Sequence, residues 1–406
     1  MWKKIKKLGP GLLFAGAAIG VSHLVQSTRA GADYGWGLIW ALLLVNLFKY
    51  PFFQFGPRYA LATQESLLEG YQKLGKANLW IYFLLNLATM FTIQTAVTIV
   101  TAGIAASVLG LSSSMIFWSI TITALCYMIL LVGRYQLLDK VMKVIILILS
   151  VSSILAVLIA SIKQESTTDF TQVFPEGAGL LFLIAFMGWM PAPMDISIWH
   201  SIWVLEKKDN LQNKLSLKEG LLDFNVGYLT TVVLGVCFVG LGALVMYGSG
   251  LEFSNKGNEF AEQLIDLYTS NLGDRAYGII ALAALTTMFS TTITTLDASP
   301  RAMSKTIQLL FDKKDKDYYL IWISILAVGT CAIFLFLLSE MGLLVQIATV
   351  LSFITAPFYA ILNYRLVTSS HMPQKDRPGL PTRILSISGI LFLTGFTCIY
   401  LLSLLN

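Results

Sequence analysis

Long apolar segments follow one another along almost the entire chain, separated by short polar or basic stretches. In a helix, about 20 apolar residues are enough to cross the roughly 30 Å of hydrocarbon in a bilayer. The pattern therefore predicts an all-α membrane protein with eleven transmembrane helices. We place these helices at residues 8–33, 35–55, 79–107, 113–133, 138–162, 177–204, 222–248, 276–308, 318–338, 341–364 and 385–404.

The composition agrees with a protein that is surrounded by lipid. Hydrophobic residues make up 56% of the chain and charged residues 13%, whereas about 25% of the residues in typical soluble proteins are charged. All four cysteines fall inside apolar segments, so they indicate neither a disulfide framework nor a zinc site. We expect the lipid bilayer as the protein's environment and no obligate protein partner.

Basic residues are distributed asymmetrically between the two sides of the predicted spans. With a cytoplasmic N-terminus, 24 of the 28 Lys and Arg residues, including Lys49 of the second span, fall in inner segments. Because cytoplasmic loops carry an excess of basic residues, the asymmetry predicts an internal N-terminus and an external C-terminus. It also accounts for the net charge of +5 without a nucleic-acid partner.

Two of the predicted spans contain residues that interrupt helices. The first span has Gly16, Gly20 and Ser22 near its middle, and the sixth has Pro191 and Pro193. In lipid, helices are interrupted only where the freed backbone groups line a cavity or meet a ligand. Interruptions at matching positions of two halves are typical of inverted-repeat transporters. We therefore expect one repeat at 1–163, a second at 164–370, and an additional span at 371–406.

Ionisable residues at membrane depth are costly, and they are functional candidates by default. His23 follows the first interruption and Asp195 follows the second, so we expect the two side chains to approach each other across a central cavity. Such a pair could bind a cation, pair with a substrate amine or relay protons. It could also be a buried pair with a purely structural role. The thioether of Met190 is a further candidate ligand.

A run of hydroxyl side chains in the eighth span suggests a second kind of site. Ser290, Thr291 and Thr294 could supply oxygen ligands for a coupling ion near the first interruption. Alternatively, they could only donate hydrogen bonds to carbonyls one turn back in their own helix. Asp297 lies four residues before Arg301, and we expect the two to pair.

Several of these segments resemble the Nramp family of divalent-metal transporters. The resemblance rests on Gly9–Pro10, on residues 29–35, on Met190–Pro191 and on the hydroxyl run 290–294. It implies a leucine-transporter-like fold of inverted five-helix repeats with broken helices 1 and 6. It also implies a metal-ion symporter in the bacterial inner (plasma) membrane.

The chain departs from the family pattern at the metal site. Where the family has Asp-Pro-Gly-Asn in the first helix, this chain has Gly-Val-Ser-His at 20–23, so Gly20 replaces the ligand aspartate. Ala192 replaces the histidine after the Met-Pro pair, and Ile354 replaces a glutamine of the tenth helix. The third helix also lacks the family's acidic residues. The loss of a carboxylate removes the main compensation for desolvating a divalent ion.

Two main functions are compatible with these residues. In the first, a metal cation crosses through a rebuilt site of Gly20, His23, Met187, Met190 and Asp195, with His23, Met190 and Asp195 as direct metal ligands. Backbone carbonyls near Gly20 and Met187 would complete the shell. In the second, a sodium- or proton-coupled transporter carries a small organic solute such as an amino acid or amine. Asp195 or the half-helix ends would bind its charged groups, and Trp189 and Trp199 would line the cavity.

Other classes of protein fit the sequence less well. A membrane sensor or assembly factor could keep the fold without transporting anything, but no feature of the chain favours it. No nucleophile with its base, no cofactor-binding loop and no zinc motif marks an enzyme. We expect no cofactor apart from a bound divalent metal or sodium ion.

Overall fold

The computed structural model describes most of the chain. The described residues are 9–110, 112, 114–133, 135–163, 169–209, 216–250, 253–254, 259, 262–267, 273, 277–313, 315–336 and 341–403. Within these ranges every regular element is helical, which confirms the all-α prediction. The elements are α1 (Pro10–Ala18), a π-helical segment (Ser22–Ser27), α2 (Thr28–Tyr34), α3 (Ile39–Thr63), α4 (Leu67–Leu74), α5 (Lys76–Leu109), α6 (Met115–Leu131), α7 (Tyr135–Lys163), α8 (Ala178–Trp189), α9 (Ile196–Asp209), α10 (Leu217–Val245), α11 (Tyr277–Leu310), α12 (Tyr319–Phe336), α13 (Met341–Thr368), a 3-10 segment (Gln374–Asp376) and α14 (Leu380–Ser403).

Many of these helices are long and apolar enough to cross a membrane. Within the described ranges, seven helices meet this condition, and the bent pair of Pro10–Ala18 and Ser22–Tyr34 makes an eighth. Apolar helices at Met115–Leu131, Leu147–Ile162 and Ala178–Trp189 are shorter. The protein is therefore an integral membrane protein, while the number of eleven spans stays a prediction.

Both predicted interruptions are present. The first span ends its regular helix at Ala18, continues as a π-helical segment at Ser22, and bends by 49° at the break. The sixth predicted span is split into α8, which ends at Trp189, and α9, which starts at Ile196. Met190, the first residue past α8, is extended (φ −87°, ψ 123°), and the two following prolines have no N–H with which to continue the helix.

The helix α10 supports the first span on both sides of its break through glycine contacts. A Cβ on Gly227 would lie 2.0 Å from the carbonyl oxygen of Gly11, and a Cβ on Gly242 would lie 2.1 Å from that of Thr28. Only glycine permits this approach of two backbones. Close contacts between small residues are a common way for helices to associate in lipid, where no hydrophobic effect drives them together. The two halves of the first span are thus fixed to one straight helix.

Burial separates central helices from peripheral ones. In α11, 72% of the most apolar window is buried inside the protein, against 28% in α12 and in α14. The side chains of α12 and α14 are therefore mostly available to lipid, whereas α11 lies in the interior. This places the hydroxyl run of α11 in the centre of the protein, next to the first break.

The structure corrects the position of Lys49. The charge distribution placed it with the inner basic residues, but the side chain is fully buried in the middle of α3, at 0% exposure. The excess of basic residues on the predicted inner side persists without Lys49. An internal lysine needs its own explanation, because a buried ammonium group is costly unless it is fully hydrogen-bonded.

We expect Asp223 to be essential for the stability of the first span. Its carboxylate accepts hydrogen bonds from the N–H groups of Gly9 (3.1 Å) and Gly11 (2.8 Å) at the start of α1. Removing it leaves buried donors without acceptors, at a cost of about 1–3 kcal/mol for each donor. Asp223→Ala should therefore lower the melting temperature of the purified protein clearly. Asp169→Ala is the matched control, because Asp169 is exposed; equal melting of the two variants would contradict the assignment.

Candidate functional site

The first break leaves backbone carbonyls that hydroxyl groups approach. The hydroxyl of Thr291 on α11 lies 3.4 Å from the carbonyl oxygen of Gly16 and 3.3 Å from that of Ile19. The hydroxyl of Ser22 donates to the carbonyl of Ala18 at 2.8 Å. Gly20 permits this arrangement, since a Cβ there would lie 2.9 Å from two side-chain atoms of Thr291. Oxygen atoms are therefore concentrated between the first break and α11.

The second break is stabilised by a different group. The ammonium of Lys49 donates to the carbonyl oxygens of Met187 (2.8 Å) and Gly188 (2.7 Å), and it lies 3.5 Å from that of Ala192. These carbonyls belong to the end of α8 and to the extended segment after it. A lysine from a neighbouring helix thus takes the acceptors that the break exposes.

The two breaks meet around a small cavity. The hydroxyl of Ser22 lies 3.3 Å from the carbonyl oxygen of Pro191, which links the breaks directly. The cavity between them has a volume of about 20 Å³, and Gly20 and Thr291 contribute to its lining. Trp189 and Trp199 also line it, as the sequence suggested. A space of this size holds about one water molecule or one ion.

A larger cavity lies further along the same helices. It has a volume of about 570 Å³ and is lined by charged side chains that include Glu69, Glu206, Arg301 and Lys305. The helices α9 and α11 contribute residues to both cavities, since Trp199 lines the small one and Glu206 the large one. The large cavity is therefore displaced from the breaks toward the side that the basic residues predict to be cytoplasmic.

His23 is held by groups of the first span and of α10. Its Nε2 lies 2.9 Å from the carbonyl oxygen of Thr231, and its Nδ1 lies 2.7 Å from the hydroxyl of Ser22. Since a carbonyl oxygen only accepts, Nε2 carries a proton. Both ring nitrogens are therefore engaged, and neither is free to bind a metal in this arrangement.

Met190 lies against the same helix as His23. Its sulfur is 3.4 Å from the position that a Cβ of Gly235 would take, and Gly235 is one turn along α10 from Thr231. The side chains of His23 and Met190 are thus directed to neighbouring turns of α10. Met190 is fully buried, which fits packing as well as ligation.

Asp195 lies in different surroundings. Its carboxylate interacts electrostatically with Tyr71, Tyr82 and Tyr359, all of which are buried. The hydroxyl of Tyr359 lies within hydrogen-bonding reach of the Asp195 carboxylate. Oδ1 of Asp195 and the hydroxyl of Tyr82 have no hydrogen-bond partner in the part of the chain that the structure describes. We name Asp195, Tyr71, Tyr82 and Tyr359 the tyrosine cluster.

The structure therefore does not bring His23 and Asp195 together, contrary to the sequence-based expectation. His23 contacts the α10 side of the breaks, and no ion pair joins it to Asp195. Among the described residues, no group of three or more His, Cys, Asp or Glu side chains could hold a metal ion. The set of His23, Met190 and Asp195 as three direct ligands stays a prediction.

The hydroxyl run divides into two roles. Thr292 and Thr291 both reach the carbonyl one turn back, at 3.0 Å to Met288 and 3.2 Å to Thr287, as the structural alternative predicts; Thr291 also faces the carbonyls of the first break. The hydroxyl of Thr294 is buried without a hydrogen-bond partner within the described ranges, and Ser290 is buried too. Asp297 pairs with Arg301 at 2.7 Å, as expected.

The residue that binds the carbonyls of the second break was missed from the sequence, and a signal for it existed. Lys49 is an isolated charge in the apolar stretch between residues 39 and 53, where a helix has no nearby end for a lysine to reach. A strict application of the rule for charges at membrane depth would have singled it out.

Comparisons with known proteins place the chain among transporters. A family model described as natural resistance-associated macrophage protein-like (Nramp) matches residues 11–403. An uncharacterized protein of Pasteurella multocida strain Pm70 is 38% identical over 405 residues, covering 98% of this chain and 92% of that protein.

Solved transporter structures share the fold. A manganese transporter of Eremococcus coleocola superposes with a TM-score of 0.73 at 13% identity, covering 98% of this chain and 86% of that one. MhsT in complex with L-phenylalanine gives a TM-score of 0.64 at 14% identity, covering 98% of each chain. Mhp1, a nucleobase-cation-symport-1 family transporter, gives 0.61 at 14%, covering 96% of this chain and 91% of that one. These likenesses confirm the leucine-transporter-like fold, and they do not determine the cargo.

We expect Thr291 to contribute to a cation site at the first break. If sodium binds there, it should stabilise the folded protein, because a ligand that binds only the native state raises its stability. The melting temperature of the wild type should then be higher in sodium chloride than in choline chloride, and Thr291→Val should remove the difference. Thr286→Val, a change one turn away on a partly exposed position of α11, should keep it. A sodium-dependent difference that survives in Thr291→Val would contradict this role.

Proposed function

Because this chain belongs to the Nramp family, we propose that it is a secondary active transporter that moves a metal cation between its two broken spans. The cation occupies the small cavity where the breaks meet. The match across residues 11–403 shows the family. Beyond the family, we propose the cargo and the residues that bind it.

The size of the cavity is the observation that carries this proposal. About 20 Å³ admits one ion or one water molecule, and it is far too small for an amino acid or a nucleobase. The cavity lies where the regular helices of two spans are interrupted, and interrupted spans are where inverted-repeat transporters bind their cargo. A single small cation fits both properties.

The ligands that this chain offers are mainly oxygen atoms. The carbonyls of Gly16 and Ile19 and the hydroxyl of Thr291 converge at the first break, and Ser22 lines the cavity. Hard oxygen ligands suit alkali and alkaline-earth cations better than soft transition metals. Ser290 and Thr294, buried one turn apart on α11, are the further candidate oxygens of this proposal, while His23 and Met190 contact α10.

The architecture supports alternating access as the mechanism. In this proposal residues 1–163 and 164–370 form two repeats that move against each other around the cavity. The larger, charged cavity next to Arg301 is the inner vestibule through which the cation leaves. This assignment requires the N-terminus in the cytoplasm, the C-terminus outside, and a position in the bacterial inner membrane.

A second candidate function has one observation in its favour. The tyrosine cluster contains a buried carboxylate oxygen with no hydrogen-bond partner in the described ranges. A carboxylate framed by aromatic rings is suited to an organic ammonium group. A sodium- or proton-coupled transporter of an amine or amino acid would use this cluster rather than the cavity between the breaks.

Transport by reconstituted protein tests the proposal, with two glycine variants as a matched pair. A methyl group at Gly20 would lie 2.9 Å from Thr291 and would fill the cavity, whereas one at Gly395 would meet nothing within 4 Å. Proteoliposomes should accumulate at least one metal cation from a panel of sodium, potassium, magnesium and manganese. Gly20→Ala should reduce this uptake at least tenfold, and Gly395→Ala should not change it.

Two results would contradict the proposal. The first is saturable uptake of an amine or an amino acid without uptake of any metal cation. This result would assign the substrate site to the tyrosine cluster. Metal uptake that is equal in Gly20→Ala and in the wild type would place the pathway somewhere other than the cavity between the breaks.

A further inference from the structure

The ammonium group of Lys49 occupies a cradle of carbonyl oxygens at the second break. Its Nζ lies 2.8 Å from the oxygen of Met187 and 2.7 Å from that of Gly188, and Ala192 supplies a third oxygen at 3.5 Å. The side chain is at 0% exposure, so no water from the bulk competes for these contacts. The cradle is a cation site, and a residue of the chain itself fills it.

The cradle offers acceptors to a charged ammonium at Lys49. Two carbonyl oxygens lie within 2.8 Å of Nζ and a third lies at 3.5 Å, an arrangement that the three N–H donors of an ammonium can match. No carboxylate lies within ion-pair distance of Lys49 in the described part of the chain. The negative end of the α8 dipole, at these same carbonyls, supplies the compensation.

This cradle adjoins the cavity between the breaks. Trp189, which follows Gly188, lines the cavity, and so does Pro193, which follows Ala192. The cradle and one wall of the cavity are therefore formed by consecutive residues of the second break. The carbonyl of Met187, which the sequence suggested as a ligand of the transported metal, is already used by Lys49.

We propose that Lys49 is the specificity-determining residue that excludes divalent metals and restricts the site to monovalent cations. This inference rests on the proposed function. Lys49 removes two carbonyl ligands from the cargo and adds one fixed positive charge beside the cavity. Coulomb repulsion from that charge is twice as large for a divalent ion as for a monovalent one. No carboxylate among the described residues forms an ion pair with Lys49 to offset it, and Gly20 stands where the resemblance to the family implies an aspartate.

Three variants of the full-length protein separate charge from hydrogen bonding. Lys49→Arg keeps the charge and the donors, and Lys49→Gln keeps donors for the Met187 and Gly188 carbonyls without a charge. Lys49→Met removes both. Lys76→Met is the control, because Lys76 is exposed and lies in a surface ion pair with Asp312. Calorimetry of each purified protein with manganese chloride, magnesium chloride and sodium chloride is the measurement.

The expected result is a gain of divalent binding when the charge is removed. The wild type, Lys49→Arg and Lys76→Met should bind sodium and give no heat with manganese or magnesium. Lys49→Gln should bind manganese at least tenfold more tightly than the wild type does, and Lys49→Met should do the same if it remains folded. Gel filtration and melting curves identify a variant that does not fold. If Lys49→Met does not fold, the wild type is compared with Lys49→Gln, which keeps donors for the carbonyls.

The outcomes distinguish this inference from the function on which it rests. Wild-type protein that binds manganese as tightly as Lys49→Gln does would overturn the role of Lys49 and leave the metal-transport proposal intact. Divalent binding that stays absent in Lys49→Gln, with sodium binding unchanged, would also overturn that role. Absence of binding of any metal cation to the wild type and to all variants would refute the proposed function itself.

Discussion

Backbone groups that two broken helices leave unpaired in a lipid environment are the constraint on which this structure depends. The membrane interior offers no water to such groups, and an unsatisfied buried carbonyl costs about 1–3 kcal/mol. The protein satisfies the two breaks differently. Hydroxyls of Ser22 and Thr291 approach the carbonyls of the first break, and the ammonium of Lys49 binds those of the second. Each solution determines which ligand the site can still accept.

The neighbours of the first break explain why a carboxylate is absent from it. Gly20 stands where the family has an aspartate, and Thr291 occupies the space that any side chain at this position would need. The glycine and the threonine therefore form one arrangement, in which carbonyl and hydroxyl oxygens replace a charged ligand. Such a set compensates a single positive charge more readily than a double one. The fixed charge of Lys49 also disfavours a divalent ion, so both breaks favour a monovalent cation.

Sequence patterns predicted the fold because each pattern reports on a local property. Apolar segments predicted the helices. Pro191 and Pro193 predicted the second break, because a missing N–H interrupts a helix in any context. The positions of long side chains relative to one another were harder to predict from the sequence. His23 and Asp195 each follow a break, but the direction of a side chain depends on helix rotation, which α10 and its glycines determine through contacts far apart in the sequence. The burial of Lys49 was missed for a related reason: charge counting assigns every lysine to one side of the membrane, although Lys49 lies in the interior of α3, which continues to Thr63.

Anomalous scattering from crystals soaked in thallium(I) or manganese(II) would test the central claim most directly, since the two ions differ in charge and each can be located individually. The account predicts a thallium peak in the cavity between Gly20 and Thr291, with Lys49 still bound to the carbonyls of Met187 and Gly188, and no manganese peak at either break. A manganese peak within bonding distance of the Met187 carbonyl and the Met190 sulfur, with Lys49 displaced, would contradict it.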